Sequence, residues 1–270
     1  MAEPTFRQRR LGEALQQLRE RNGMSQREAA ERIDYNIQKL SRIENGQLPD
    51  IHALRAMLDM YGVIGDEEEP YLEMWNRAKE KGWWRPYGRD TLGYLSLEQD
   101  ASVIKTFQCL HIPGMVQSRS YMRALFASSR TQRSEKAISN LIEIRVRRQE
   151  RLFGDNAVRY HAIITESALR HAGGEQLLHI NKIGLLPNVT IQVVLDMAGL
   201  HDGLNGPFTL LEFPYTGDPQ VLYVEHAGGS VHIEDPERVQ ASSLTFKHLS
   251  KLALTPEESV AWIERSAAER

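Results

Sequence analysis

Apolar residues recur at helical spacing through the first sixty positions of the chain. Leu11, Ala14, Leu15 and Leu18 form one stripe and predict a helix from about Arg7 to Asn22. Asn22-Gly23 stops it, because glycine takes the left-handed conformation that ends a helix. Ser25 is an N-cap, and Glu28 three residues on completes a capping box for a second helix through Ile33. Ala30 is small where the next helix must cross closely. Asp34-Tyr35 is a tight break, and Ile37, Leu40 and Ile43 predict a third helix from about Asn36, capped by Asn45-Gly46. Ile51, Leu54, Leu58 and Tyr61 mark a fourth, ended by Gly62.

The pattern then changes. Asp66-Glu67-Glu68-Glu69-Pro70 is an acidic break followed by a helical stretch to about Lys81. Gly82-Trp83-Trp84-Arg85-Pro86-Tyr87-Gly88 reads as an aromatic hinge, since large rings fix a connection by burying area. Beyond it, Ser102–Cys109, Tyr160–Thr165, Val189–Leu195, Pro207–Phe213, Val221–Glu225 and Ser230–Ile233 are strand-like, rich in branched and aromatic residues. Gly228-Gly229 separates the last two as a hairpin turn. Ser118–Ala127, Ser134–Phe153, Pro236–Leu252 and Pro256–Ala268 are helical, the last two starting with proline near the first position.

These patterns predict an all-α N-terminal domain followed by an α+β domain with a mainly antiparallel sheet. The expected division is residues 1–65, a helical linker with the aromatic hinge at 66–90, and a larger domain at 91–270. No apolar run is long enough to cross a bilayer, and the Met-Ala-Glu-Pro-Thr start lacks the features of a signal peptide, so a cytoplasmic protein is expected. Cys109 is the only cysteine, which excludes an internal disulfide and a cysteine-based zinc site. Net charge is −3, yet Arg7–Arg42 holds nine basic residues against five acidic ones. That local excess is compatible with docking on phosphates without demanding it.

Two short helices joined by a short turn and braced by helices on either side make a helix-turn-helix. Gln26 to Asn45 has that spacing, and with Ser41-Arg42-Ile43-Glu44-Asn45-Gly46 the stretch Leu11–Val63 resembles the lambda and 434 repressor class, the Xre family. One departure is Asp34, where the family usually has a turn glycine. The resemblance implies a λ-repressor-like fold whose third helix lies in the major groove. By register it makes Ile37, Gln38 and Arg42 the base readers, and sets Gln26, Arg27, Asn36, Lys39 and Asn45 near phosphates. Arg19 and Glu44 look like the family's internal salt bridge and are assigned to structure.

The C-terminal part carries a second resemblance. Trp84-Arg85-Pro86-Tyr87-Gly88, Ile112-Pro113-Gly114-Met115-Val116-Gln117-Ser118 with Tyr121, Arg148-Gln149-Glu150-Arg151-Leu152, Pro187–Val193, Gly206–Leu211 and Tyr223-Val224-Glu225-His226 are similar to an actinobacterial family. Its members join an Xre-type N-terminus to an antitoxin-like domain of the Scr1 type, among them developmental regulators similar to WhiJ. The resemblance implies a sequence-specific transcriptional regulator, often encoded beside a very small protein thought to be its partner. A homodimer on a two-half-site DNA operator is expected, with signal reception in the larger domain. The alternative is a small-molecule sensor with a ligand pocket in that domain.

Enzymatic and metal chemistry are set aside, and no cofactor is expected. There is no His-Glu-x-x-His pair, phosphate-cradling glycine loop or Gly-x-Ser-x-Gly elbow. His201, His226 and His232 lie near carboxylates, but Glu225 and His226 are adjacent and point to opposite faces of a strand. Arg145, Arg147, Arg148 and Arg151 form a basic helix face, a candidate for an acidic partner or flanking DNA. The bland reading of that face is solvation, or pairing such as Glu143 with Arg147.

Overall fold

The computed structural model describes residues 4–84, 87, 93–128, 133–214 and 219–270. They fall into two compact units, residues 1–96 and 97–270.

The first unit is helical: α1 (Phe6–Arg21), α2 (Gln26–Arg32), α3 (Ile37–Glu44), α4 (Ile51–Met60) and α5 (Glu69–Lys79). Its local signals act as expected. Ser25 and Glu28 cap each other's backbone at the start of α2, and Asp34 takes φ +54° in the turn. Leu11, Leu15, Leu40, Ile43, Leu54, Met57 and Leu58 are sealed in one core. Gly12 lets α1 approach the end of α3, since a Cβ there would stand 2.5 Å from the Glu44 carbonyl oxygen and 2.6 Å from that of Ile43.

The expected linker helix is corrected. α5 belongs to this core: Trp75 is buried with α1 and α4 residues, and its Nε1 donates to the Pro49 carbonyl at 2.8 Å. Arg7 Nη1 also ties α1 to the end of α5, donating to Glu80 at 2.6 Å and to the Arg77 carbonyl. The acidic run at 66–69 is therefore a turn within the unit. Of the aromatic hinge, Trp83 and Trp84 stand edge to face at 5.6 Å. Arg85, Pro86 and Gly88 lie outside the described residues.

After α6 (Gly93–Asp100) comes a six-stranded sheet of β1 (Val103–Gln108), β2 (Arg159–Thr165), β3 (Val189–Val194), β4 (Phe208–Glu212), β5 (Val221–His226) and β6 (Gly229–Ile233). Its order is β3-β2-β1-β4-β5-β6. The sheet is mixed and mostly antiparallel: β1–β2 and β2–β3 are parallel, and the other three pairings are antiparallel. Parallel neighbours need long crossovers. These are α7 (Arg119–Ala127) with α8 (Glu135–Gln149), then α9 (Glu166–Leu169) with α10 (Gly174–Gly184). The hairpin turn is Ala227-Gly228, one residue earlier than expected, because Gly229 already pairs with His226.

One sheet face carries Phe107, Ile163, Leu210 and Leu222 against Val239, Phe246 and Leu249 of α11 (Pro236–Leu252). On that face Gln192 donates to the carbonyls of Ser250 and Leu254, which fixes its amide and aims Oε1 at His161 Nε2, 2.8 Å away. The outer edge of β3 is occupied by the chain's last elements. Val193 N–H donates to Ser259 Oγ of α12 (Pro256–Ala268) at 3.0 Å, and Leu254 N–H donates to the Val193 carbonyl at 2.9 Å.

Candidate nucleic-acid interface

The surface of interest is the outer side of α3. Asn36 Oδ1 accepts from Lys39 N–H at 2.8 Å and caps the helix start, while Tyr35 N–H closes the turn onto the Ala30 carbonyl at 2.8 Å. Leu40, Ile43 and Glu44 face inward and are buried. Helical spacing then turns Ile37, Gln38, Lys39, Arg42 and Asn45 outward, and all five are exposed. Ile37 is 41% exposed, an aliphatic side chain with no core to fill. The side chains of Gln38 and Arg42, one turn apart, make no hydrogen bond or ion pair with the other described residues. Arg27, at the start of α2, is likewise outward and unpaired among the described residues. Lys39 Nζ rests 3.3 Å from the centre of the Tyr35 ring.

Three expected contact residues have their polar atoms engaged within the protein. Gln26 Nε2 donates to Glu44 Oε2 at 2.6 Å, so its donor braces the fold instead of facing outward. Asn36 spends its oxygen on the cap. Asn45 Nδ2 donates to the Ser41 carbonyl at 2.7 Å. Glu44 in turn takes a two-pronged bond from Arg19, with both side chains nearly sealed from water. A buried network thus joins α1, α2 and α3 and sets the angle at which α3 is presented.

The basic face of α8 is corrected. Arg148 binds Glu98 through Nε at 2.6 Å and Nη2 at 2.7 Å. Arg151 donates to the carbonyls of Glu98 and Ala101, and Arg145 donates to Gln117. Only Arg147 of the four is exposed. Glu143 pairs with Arg119 at 2.8 Å. Sequence showed these arginines clustered on one helix, but their partners lie far off in sequence. Gly12, Trp75 and Glu98 went unnoticed for the same reason.

Fold and surface together define a protein with a helix-turn-helix domain, and such a domain suggests DNA binding. A helix-turn-helix domain family matches residues 10–72. The chain belongs to the family described as domain of unknown function (DUF5753), which matches residues 92–265. No curated protein and no solved structure matches the chain. No helix among the described residues is long and apolar enough to cross a membrane.

Proposed function

We propose that the chain is a transcriptional regulator that reads a specific DNA operator through α3. Ile37, Gln38 and Arg42 would meet base edges in the major groove: isoleucine on a thymine methyl, glutamine on adenine, arginine forked onto guanine. Arg27, Lys39, Asn36 and Asn45 would run along the phosphates, and Gln26 would act by holding Glu44. The observation that carries this reading is the pair Gln38 and Arg42, outward, one turn apart and uncommitted, on a helix held by a buried ionic network.

The protein would work in the cytoplasm as a homodimer on two half-sites, without enzymatic activity, a metal or a cofactor. The larger domain would receive the signal. The resemblance to Xre-type regulators with Scr1-type antitoxin-like domains supports a small protein encoded nearby as its source. The reading of that domain as a small-molecule sensor gains support from Arg145, a largely covered guanidinium with no ion-pair partner among the described residues.

The test is a fluorescence-anisotropy titration of the full chain against DNA from upstream of its own gene, at two salt concentrations. Wild type should bind well above scrambled DNA. Gln38→Ala and Arg42→Ala should each lose about 1–3 kcal/mol on the operator and nothing on scrambled DNA. Lys39→Ala should weaken both alike and lower the salt slope by about one. Equal, weak binding by all proteins at low salt only would overturn direct readout.

A further inference from the structure

Arg145 sits where α7, α8 and the turn at residues 114–116 meet, with most of its side chain covered. Its Nη1 donates to Gln117 Oε1, and its Cζ lies 4.8 Å from the centre of the Phe126 ring. Gln117 is itself fixed, because its Nε2 donates to the Ile112 carbonyl at 2.6 Å. Gln149 Nε2 straps the same turn to α8, donating to the carbonyls of Gly114 and Gln117 at 2.8 Å each. Gly114 offers bare backbone there: a Cβ on it would stand 3.4 Å from Arg145 Nε and 3.5 Å from Arg148 Nη1.

What this guanidinium lacks is a counter-charge. Glu98 is nearby and buried, but both of its oxygens bind Arg148. Glu225 attracts Arg145 from a longer range, while its Oε1 accepts from the Tyr223 hydroxyl at 2.6 Å. No carboxylate forms an ion pair with Arg145 among the described residues. Burial, and then the like charge of Arg148, push its pKa down to about 10. Covered arginines are ordinarily paired with an acid, and an unpaired one is costly. Here Nε and the second terminal nitrogen carry no hydrogen-bond partner among the described residues, and the residue is half-buried rather than sealed. An arginine held in one orientation with a free two-donor edge is a ready receptor for a planar or tetrahedral oxyanion.

We propose that Arg145 anchors a binding site for a small molecule bearing a carboxylate or phosphate group, received on the free guanidinium edge beside Gly114. The ligand supplies the missing counter-charge, and Gln117 and Phe126 keep the fork aimed without competing for it. The proposal stands apart from the DNA reading, since every residue in it belongs to the second unit.

The experiment uses the full chain without DNA. Sodium phosphate and sodium succinate are each titrated calorimetrically at matched ionic strength, which separates the two sources of oxyanion. The expected result is saturable one-to-one binding of at least one of them, about tenfold or more weaker in Arg145→Gln and unchanged in Arg147→Gln. Absence of saturable binding by both anions overturns the proposal, as does full binding by Arg145→Gln or equal loss in Arg147→Gln. Should Arg145→Gln fail to fold, wild-type protein is labelled with phenylglyoxal and its peptides are mapped. The anions must then slow modification of Arg145 and not of Arg147; equal rates with and without them overturn the site.

Discussion

Arg19 and Glu44 meet as a two-pronged pair between α1 and the end of α3, Nε to Oε1 at 2.6 Å and Nη2 to Oε2 at 3.1 Å. Both side chains are buried, at 7% and 1% exposure. Their worth lies less in net attraction than in what either becomes alone, an uncompensated charge out of water. Arg19→Met and Glu44→Leu should each cost about 3–5 kcal/mol. The double variant should cost clearly less than the sum of the two. Urea denaturation of all four proteins measures this, and strictly additive losses would remove the pairing from the account.

Asp34 holds a left-handed backbone at φ +54°, where a side chain costs about 1–2 kcal/mol. Glycine would relieve that strain and add back about 0.5–1 kcal/mol of unfolded-state entropy. Asp34→Gly should therefore stabilise the protein by about 0.5–1 kcal/mol, and Asp34→Val should destabilise it. A lower urea midpoint for Asp34→Gly would show that the aspartate side chain contributes more than its backbone costs.

Trp75 makes α5 part of the N-terminal core, through burial and through its bond to the Pro49 carbonyl. Trp75→Phe keeps most of the area and strands that carbonyl, for a loss of about 1–3 kcal/mol. Thermal melts check it. Wild-type stability in the variant would return α5 to the status of a linker.

His161 is kept neutral: burial pushes its pKa down, the Gln192 bond raises it in part, and Lys105 lowers it further. The folded pKa lies below the unfolded one, near 6.5, so the unfolded chain takes up the proton first. Stability should be full above about pH 6.5 and fall as the pH drops towards the folded value. His179, also depressed by burial, acts in the same direction. His161→Phe, whose ring would still pack on Phe246, should flatten the loss between pH 7.5 and 5.5 in urea melts. An unchanged slope would assign it to His179 or to other groups.

What the sequence revealed was what short range determines. The Ser25–Glu28 box, the Asn45-Gly46 stop and the paired Leu and Ile stripes are written within a few residues of where they act. All six strands appeared near their true limits, since branched residues bounded by turn formers leave a short, clear signature. α10 was missed because it begins at Gly173-Gly174, with no side chain to cap it. Which reading of the α8 arginines applies was not legible, because Glu98, some fifty positions upstream, determines which way Arg148 faces. On α3 the exposed side was legible from spacing. That Gln26 braces Glu44 was not, because contact and bracing residues look alike until the helices are packed.

The occupied edge of β3 bears on the order in which the molecule is made. Synthesis runs from the N-terminus, and domains generally fold as units as they appear. The core that holds the helix-turn-helix together runs from Leu11 to Trp75, so that module can assemble early. The sheet cannot be finished then: Val193 on the outer edge of β3 keeps its backbone N–H and carbonyl unpaired until Ser259 and Leu254 arrive to take them. A growing chain therefore carries a complete helix-turn-helix while its larger domain still has a sticky margin, and a break before residue 254 would leave that margin open for good.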